Sequence, residues 1–392
     1  MRARKLAVIL VLCFGMGAYA QEYNCFTFTI QADSHFAEAE AGALGDSAEW
    51  VGLYELMLSN VAADKPDLHF TMGDFVCSES YQDPPAEVAS YAEAITRNED
   101  QRDMLLAAGI DTSAFFFVNG NHEGDQGWEY TWNDSGYEFA DSVCYWQRDA
   151  RLATFFNPPG PVNGDATYER YYAIEHESAL FVILDPFAYT TTLPHGVGAE
   201  CSGCDYGVDR WRWTLGEDQY NWFYTVLDTC SLPWKFVFIH QLVGGYTNYG
   251  RGGIEAADWF EWGGNDTSGV DVFSTRRSGW AHGSIHNILV SEDVDIVFFG
   301  HDHVYVKQIK DGVIYQHCPR ANDPNYGTGF YTPGGYASGT VANNSGHLRV
   351  SVNPGVLKVE YVRAILSGDE PLIEDADTLY NQSVSHSWSL IP

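Results

Sequence analysis

Apolar residues along this chain gather into short runs, and each run breaks off at glycine or at a polar side chain. "FTFTIQADSH" (Phe26–His35) alternates apolar and polar positions before turning polar. A period of two predicts a strand. "WVGLYELMLSNVAAD" (Trp50–Asp64) carries its apolar residues at helical spacing. "DLHFTMGD" (Asp67–Asp74) is a second short strand. "YAEAITRNEDQRDMLLAAG" (Tyr91–Gly109) is a helix that Gly109 stops. "AFFFVNGNHE" (Ala114–Glu123) is a third strand with a polar end. Strand, helix, strand, helix, strand predicts a parallel or mixed α/β sheet, and such sheets gather ligands at the carboxyl ends of their strands.

Further along, Gly124 to about Gly164 is rich in Trp, Tyr, Gly and Pro and reads as a long loop. Tyr171–Asp185 reads as a β-hairpin, Phe187–Gly207 as irregular, and "GEDQYNWFYTVLDTC" as a helix. "WKFVFIHQLVGG" is a strand ending at His240, followed by a second Gly/Trp-rich insertion, Tyr246–Trp280. "HNILVSEDVDIVFFGHDH" (His286–His303) holds a helix or turn and then a strand. Two hairpins close the pattern, turning at Asp311-Gly312 and at Asn353–Gly355. The expectation is one domain over 21–392, with insertions at about 124–170, 187–210 and 241–284.

The first twenty residues are set apart. Arg2, Arg4 and Lys5 form a basic start, Leu6 to Ala20 is mostly apolar, and Ala18, Tyr19 and Ala20 offer a cleavage site before Gln21. That pattern predicts a secretory signal peptide over 1–20 and a secreted or periplasmic protein. A formal net charge of −32 repels polyanions, so neither nucleic acid nor an anionic membrane is expected as a partner. No later run is apolar enough to predict a membrane span. Eight cysteines in an oxidising compartment permit disulfides. Cys201 and Cys204 have no second pair at matching spacing, so a local disulfide or an idle thiol pair is expected there in place of zinc.

Five strand ends share one property. They carry Asp33 and His35, Gly73-Asp74, Gly120 to Glu123, His240, and His301 with His303. Each offers carboxylate, imidazole or amide donors directly after an apolar run. Residues two apart on a strand point to the same side, so Asp33 with His35, and His301 with His303, can converge. Glycines at 73, 120 and 300 let the backbone turn sharply and approach an ion. A carboxylate has two oxygens and can bridge two cations, and Asp74, in the middle motif, is placed to do so.

This ordered set, D-x-H, G-D, G-N-H-E, H and G-H-x-H, resembles the calcineurin-like metallophosphoesterase superfamily between Asp33 and His303. The resemblance implies a four-layer αββα sandwich of two mixed β-sheets with helices outside. It implies two metal ions, both divalent or one trivalent, drawn from Fe, Mn, Zn, Ni or Ca. Asp33, His35 and His303 would hold one ion, Asn121, His240 and His301 the other, and Asp74 would bridge. Asn121 and His122 would contact substrate, with His122 as general acid. Glu123 would orient His122 or support the site from behind. The purple acid phosphatase branch has a tyrosine where this chain has Cys77, and a glycine where it has His35, so no purple iron–tyrosinate centre is expected. Burial or a disulfide is the expected role of Cys77.

Arg251, among glycines in "YGRGG", could grip a phosphate bidentately or pair with an acidic group of the chain. Tyr249, Trp259, Trp262 and Trp280 are candidate pocket walls whose simpler role is packing. The expected function is a secreted binuclear-metal phosphomonoesterase on small organic phosphates, acting through a metal-activated water. A phosphodiesterase on the same site, or a non-catalytic metal- or phosphate-binding protein, are the alternatives.

Overall fold

A computed structural model describes residues 23–36, 47–76, 90–123, 140–155, 170–190, 209–246, 250–329, 331–332, 334–369 and 379–391. The expected signal peptide, Cys77, Cys201, Cys204, Tyr249 and most of the first two insertions lie outside these residues.

Thirteen strands are found among the described residues, in two sheets. The first sheet holds β1 (Phe26–Gln31), β2 (Leu68–Thr71), β3 (Phe115–Phe117), β11 (Gly346–Asn353), β12 (Val356–Arg363) and β13 (Val384–Leu390), in the order β13-β12-β11-β1-β2-β3. Its first three strands run parallel, while β11 is antiparallel to β1. The second sheet holds β4 (Tyr172–His176), β5 (Ala179–Ile183), β6 (Trp234–Phe238), β7 (Ile296–Phe299), β8 (Tyr305–Lys310), β9 (Val313–His317) and β10 (Thr340–Ala342). Its order is β10-β8-β9-β7-β6-β5-β4, with β5, β6, β7 and β9 mutually parallel. Both sheets are mixed, as expected.

The period-two pattern explains the layers. In β3, Phe116 faces the other sheet while Phe115 and Phe117 face the helices. In β6, Phe236 and Phe238 face inward and Val237 faces out. Between the sheets these side chains join Phe28, Phe70, Phe181 and Phe298, all wholly buried. Each such phenylalanine contributes roughly 1.5–3 kcal/mol from burial. Outside the first sheet, α1 (Ser47–Asp64) packs through Leu53, Met57 and Val61 and α2 (Tyr91–Ala108) through Leu105. α2 starts at Ser90, whose side chain accepts from Glu93 N, and ends at Gly109 in the left-handed region. α3 (Ala140–Thr154) lies against α2 through the Ala94–Ala150 contact. Outside the second sheet lie α4 (Gly216–Thr229), α7 (Ile285–Ser291) and the short α5 (Phe260–Gly263) and α6 (Phe273–Arg276) of the 241–284 insertion.

The sequence pattern does not foretell β10, β13 or α3, which lies in the stretch read as a long loop because its Trp-, Tyr- and Gly-rich flanks masked the helical spacing. β13 has polar alternate positions and lies at a sheet edge, where apolar patterning fades. It also ties the two sheets: Tyr305 and His386 meet at 2.6 Å, and Trp388 donates to Gln316 at 3.2 Å. Cys25, Cys230 and Cys318 are free thiols. No described helix is long and apolar enough to cross a membrane.

Candidate active site

The parallel strands of both sheets end along one edge, and the five sequence motifs meet there. β1 runs into Asp33 and His35, and β2 into Asp74. The loop after β3 turns through a short 3-10 helix, Asn121–Glu123. β6 leads to His240 and β7 to His301 and His303. Main-chain bonds lock the loops together: Asp33 N donates to Gly73 O at 3.2 Å and His35 N to Asp74 O at 2.9 Å.

Asp33, His35, Asp74 and His303 bring one ligand atom each within 4.8 Å of all the others, and Asp74, His240 and His301 do the same. Asp74 belongs to both groups. In the first, the His35 and His303 Nε2 atoms are 3.1 Å apart, and each lies 3.7 Å from a carboxylate oxygen, His35 from Asp74 and His303 from Asp33. In the second, His240 Nε2 is 3.1 Å from Asp74 Oδ2 and 3.2 Å from Asn121 Oδ1. Donors around an ion at ~2.1 Å stand roughly 3.0–3.4 Å apart. These separations match or slightly exceed that, so the donor set fits a pair of ions sharing Asp74.

The backbone is bent to make this possible. Asp33 (φ 53°), His35 (φ 47°), Asp74 (φ 48°), His301 (φ 78°) and His303 (φ 52°) all sit in the left-handed region, which costs non-glycine residues energy and clusters at functional sites. Gly120 has a different task. A Cβ there would stand 2.3 Å from both Asp74 N and Asp74 Oδ1, so only glycine lets the two loops touch.

In the metal-free site, burial and neighbouring charges move the donors in different directions. Burial pushes the Asp33 carboxyl up to about 7, with Asp74 adding to the rise and His240 opposing it. Burial and neighbouring cationic groups hold His35 and His303 well below the ordinary imidazole range, keeping both neutral with a lone pair to give. Burial alone would lower His240, but Asp74 and Asp33 hold it up to about 9. Its Nδ1 lies 2.6 Å from Met72 O. Donation there leaves Nε2 to face the site.

A profile of calcineurin-like phosphoesterases matches residues 26–305. The chain belongs to this family. The gathered donors are the part of the chain able to hold metal ions. No curated protein matches the sequence. Among solved structures, a purple acid phosphatase from yellow lupin (Lupinus luteus) seeds is similar at TM-score 0.51 and 15% identity, over 95% of this chain and 55% of that one. PhoD is similar at TM-score 0.54 and 14% identity, over 94% and 70%. GAP50, the anchor in the inner membrane complex of Plasmodium, is similar at TM-score 0.51 and 10% identity, over 94% and 89%. The chain thus spans just over half the length of the lupin protein. At these identities the likeness speaks for the fold.

Around the donors, the expected residues divide. The His122 ring stands 4.5 Å from the His35 ring, centroid to centroid, and His122 N donates to Asp74 Oδ1 at 2.8 Å. Glu123 accepts from the main-chain N–H groups of Asp74, Phe75, Val76 and Gly120 at 2.6–3.3 Å. Of its two expected roles, these bonds serve support of the site from behind. Arg251 forms the ion pair that was one of its two expected roles. Its guanidinium pairs with buried Asp302 at 3.2 Å and donates to His301 O at 3.0 Å, bracing the loop between the two histidines. Asp302 also accepts from Gly252 N and from the Tyr336 hydroxyl.

Trp262 is wholly buried and donates to the Tyr315 hydroxyl. Trp280 packs on Tyr220. Trp259, with Tyr246 and Arg210, lines a separate cavity of about 930 Å³. Sequence reasoning missed Arg320 and Asn344. Arg320 follows β9 in the run Cys318-Pro319-Arg320, a sixth strand end on the same edge. The strand-end rule applied once more would have found it.

Proposed function

We propose that this phosphoesterase is an exported phosphomonoesterase acting on small organic phosphates. The observation that carries the reading is the pair of donor groups sharing Asp74, with the His122 ring at their rim. Bound there, two cations would supply Lewis-acid stabilisation of the phosphoryl oxygens and an activated water for in-line displacement. His122, nine per cent exposed, can reach a substrate and hold the proton that the leaving oxygen requires. Asn121 turns its amide oxygen to the second donor group, and its amide nitrogen can then face substrate. The imidazole-rich donor set suits Mn, Fe, Zn or Ni better than Ca.

Monoester over diester is supported by the acidic chain, which disfavours a polyanionic substrate such as nucleic acid. Export is supported by the basic and apolar pattern of residues 1–20. Turnover of p-nitrophenyl phosphate beside its bis ester, with each divalent metal in turn, tests the specificity. Faster turnover of the bis ester with every metal would overturn it. N-terminal sequencing of protein recovered from the periplasm or medium should begin at Gln21. A mature protein that keeps Met1 would refute export by cleavage.

A further inference from the structure

β9 runs parallel to β7, so its carboxyl end opens on the edge that carries His301. Three residues beyond β9 the chain crosses back to the first sheet. There Arg320 pairs with Ala32 in an isolated parallel bridge, and Ala321 N donates to Ala32 O at 3.0 Å. Arg320 is therefore set beside the residue that precedes Asp33. Its own N–H is held by Asn344 Oδ1 at 3.0 Å, and Asn344 Nδ2 donates to His303 O at 2.7 Å. Two residues on, Asn322 donates to Ser34 O at 3.1 Å, next to His35. The segment is thus stitched to three of the donor residues' neighbours or main chains.

The side chain is as constrained as the backbone. The guanidinium lies over the Trp50 ring, 4.4 Å from its centroid, and the residue is 6% exposed. Its charge acts on Asp33, His35 and His303 alike. A fixed, mostly buried positive charge beside a place for two cations works against those cations. It favours an anion that arrives after them. A phosphoryl group is such an anion, and the planar fork of a guanidinium matches two of its oxygens. Contact with the Trp50 ring restrains the guanidinium in advance.

We propose that Arg320 is a substrate-binding residue that grips the phosphoryl oxygens and favours the dianionic head of a monoester over the monoanion of a diester. The ester preference rests on the phosphomonoesterase reading, but the phosphate grip does not.

The test uses the full metal-loaded enzyme and inorganic phosphate as the probe, with R320M and R320K. Charge-assisted hydrogen bonds of this kind predict a phosphate affinity about 10- to 100-fold weaker in R320M, read by calorimetry. Metal content should stay at the wild-type value, and R320K should recover part of the affinity. The loss in kcat/KM should be larger for p-nitrophenyl phosphate than for its bis ester. Wild-type phosphate affinity in R320M with both metals in place would overturn the grip and leave Arg320 as packing for Trp50. If R320M loses its metals or its fold, R320K decides: it keeps the charge without the fork, and undiminished phosphate affinity would overturn the two-pronged contact. A wild-type enzyme inert on the monoester but active on the bis ester would sink the monoesterase reading alone, since phosphate affinity is measured separately.

Discussion

His122 and Asp74 are neighbours with different tasks, and substitution should separate them. His122 is bound to the site through its main chain, by its N–H to Asp74. Replacing its ring should leave the donor groups in place. H122A is expected to lower kcat by about 10²- to 10⁴-fold, the usual worth of a general acid, with metal content unchanged. Asp74 is the carboxylate common to both donor groups. D74A should lose both metals together, which metal analysis of the purified variant would show as a fall to well below one ion per chain. Retention of a full ion in D74A would mean that the two groups bind independently.

At the scale of loops and strands, the site depends on contacts that no side-chain pattern displays. Gly120 lies against Asp74 without room for a methyl group. G120A should therefore push the loop after β3 away from the loop after β2. We expect metal affinity to fall at least tenfold while the far-UV circular dichroism of the sheets persists. Within β2, His69 is buried with Nδ1 2.7 Å from Thr29 Oγ1. Burial, with the charge of His347 adding to it, lowers its pKa to about 3. The unfolded chain takes up this proton near pH 6.5, whereas the folded chain resists until about 3. Between those values the unfolded state binds more protons, so stability falls as pH falls. Chemical denaturation of metal-free H69Q should show a shallower acid slope than metal-free wild type, by a few kcal/mol at pH 4.

The same scale explains what was legible in the sequence. Strand ends carrying Asp33, Asp74, His240 and His303 stood out because the apolar period of two stops abruptly at each. The end of α2 at Gly109 was legible because a glycine stop is a local device. Which of its two expected roles Glu123 fills was not, because its partners are main-chain N–H groups, which carry no residue signature. For Arg251 the sequence left a phosphate grip and an ion pair with an acidic group both open, and the structure shows the ion pair. Its partner Asp302 was overlooked because it lies between two histidines of greater chemical interest. Arg320 escaped because the hairpin it follows looked like a trailing decoration. Only the parallel pairing of β9 with β7 returns that hairpin to the catalytic edge.

For the molecule as a whole, the decisive feature is where the donors come from. Asp33, Asp74 and Asn121 extend from the first sheet, and His240, His301 and His303 from the second. Each donor group mixes the two sources: His303 joins Asp33, His35 and Asp74, and Asp74 joins His240 and His301. Bound ions therefore act as rivets across the sandwich, and anything that binds only the folded state stabilises it. Release of an ion then requires the layers to part at that edge. The exchange rate of the bound metals becomes a clock for that opening. Weakening the β13 clasp through W388A, more than 80 positions from the last donor in the chain, should quicken metal loss to a chelator without altering a single donor.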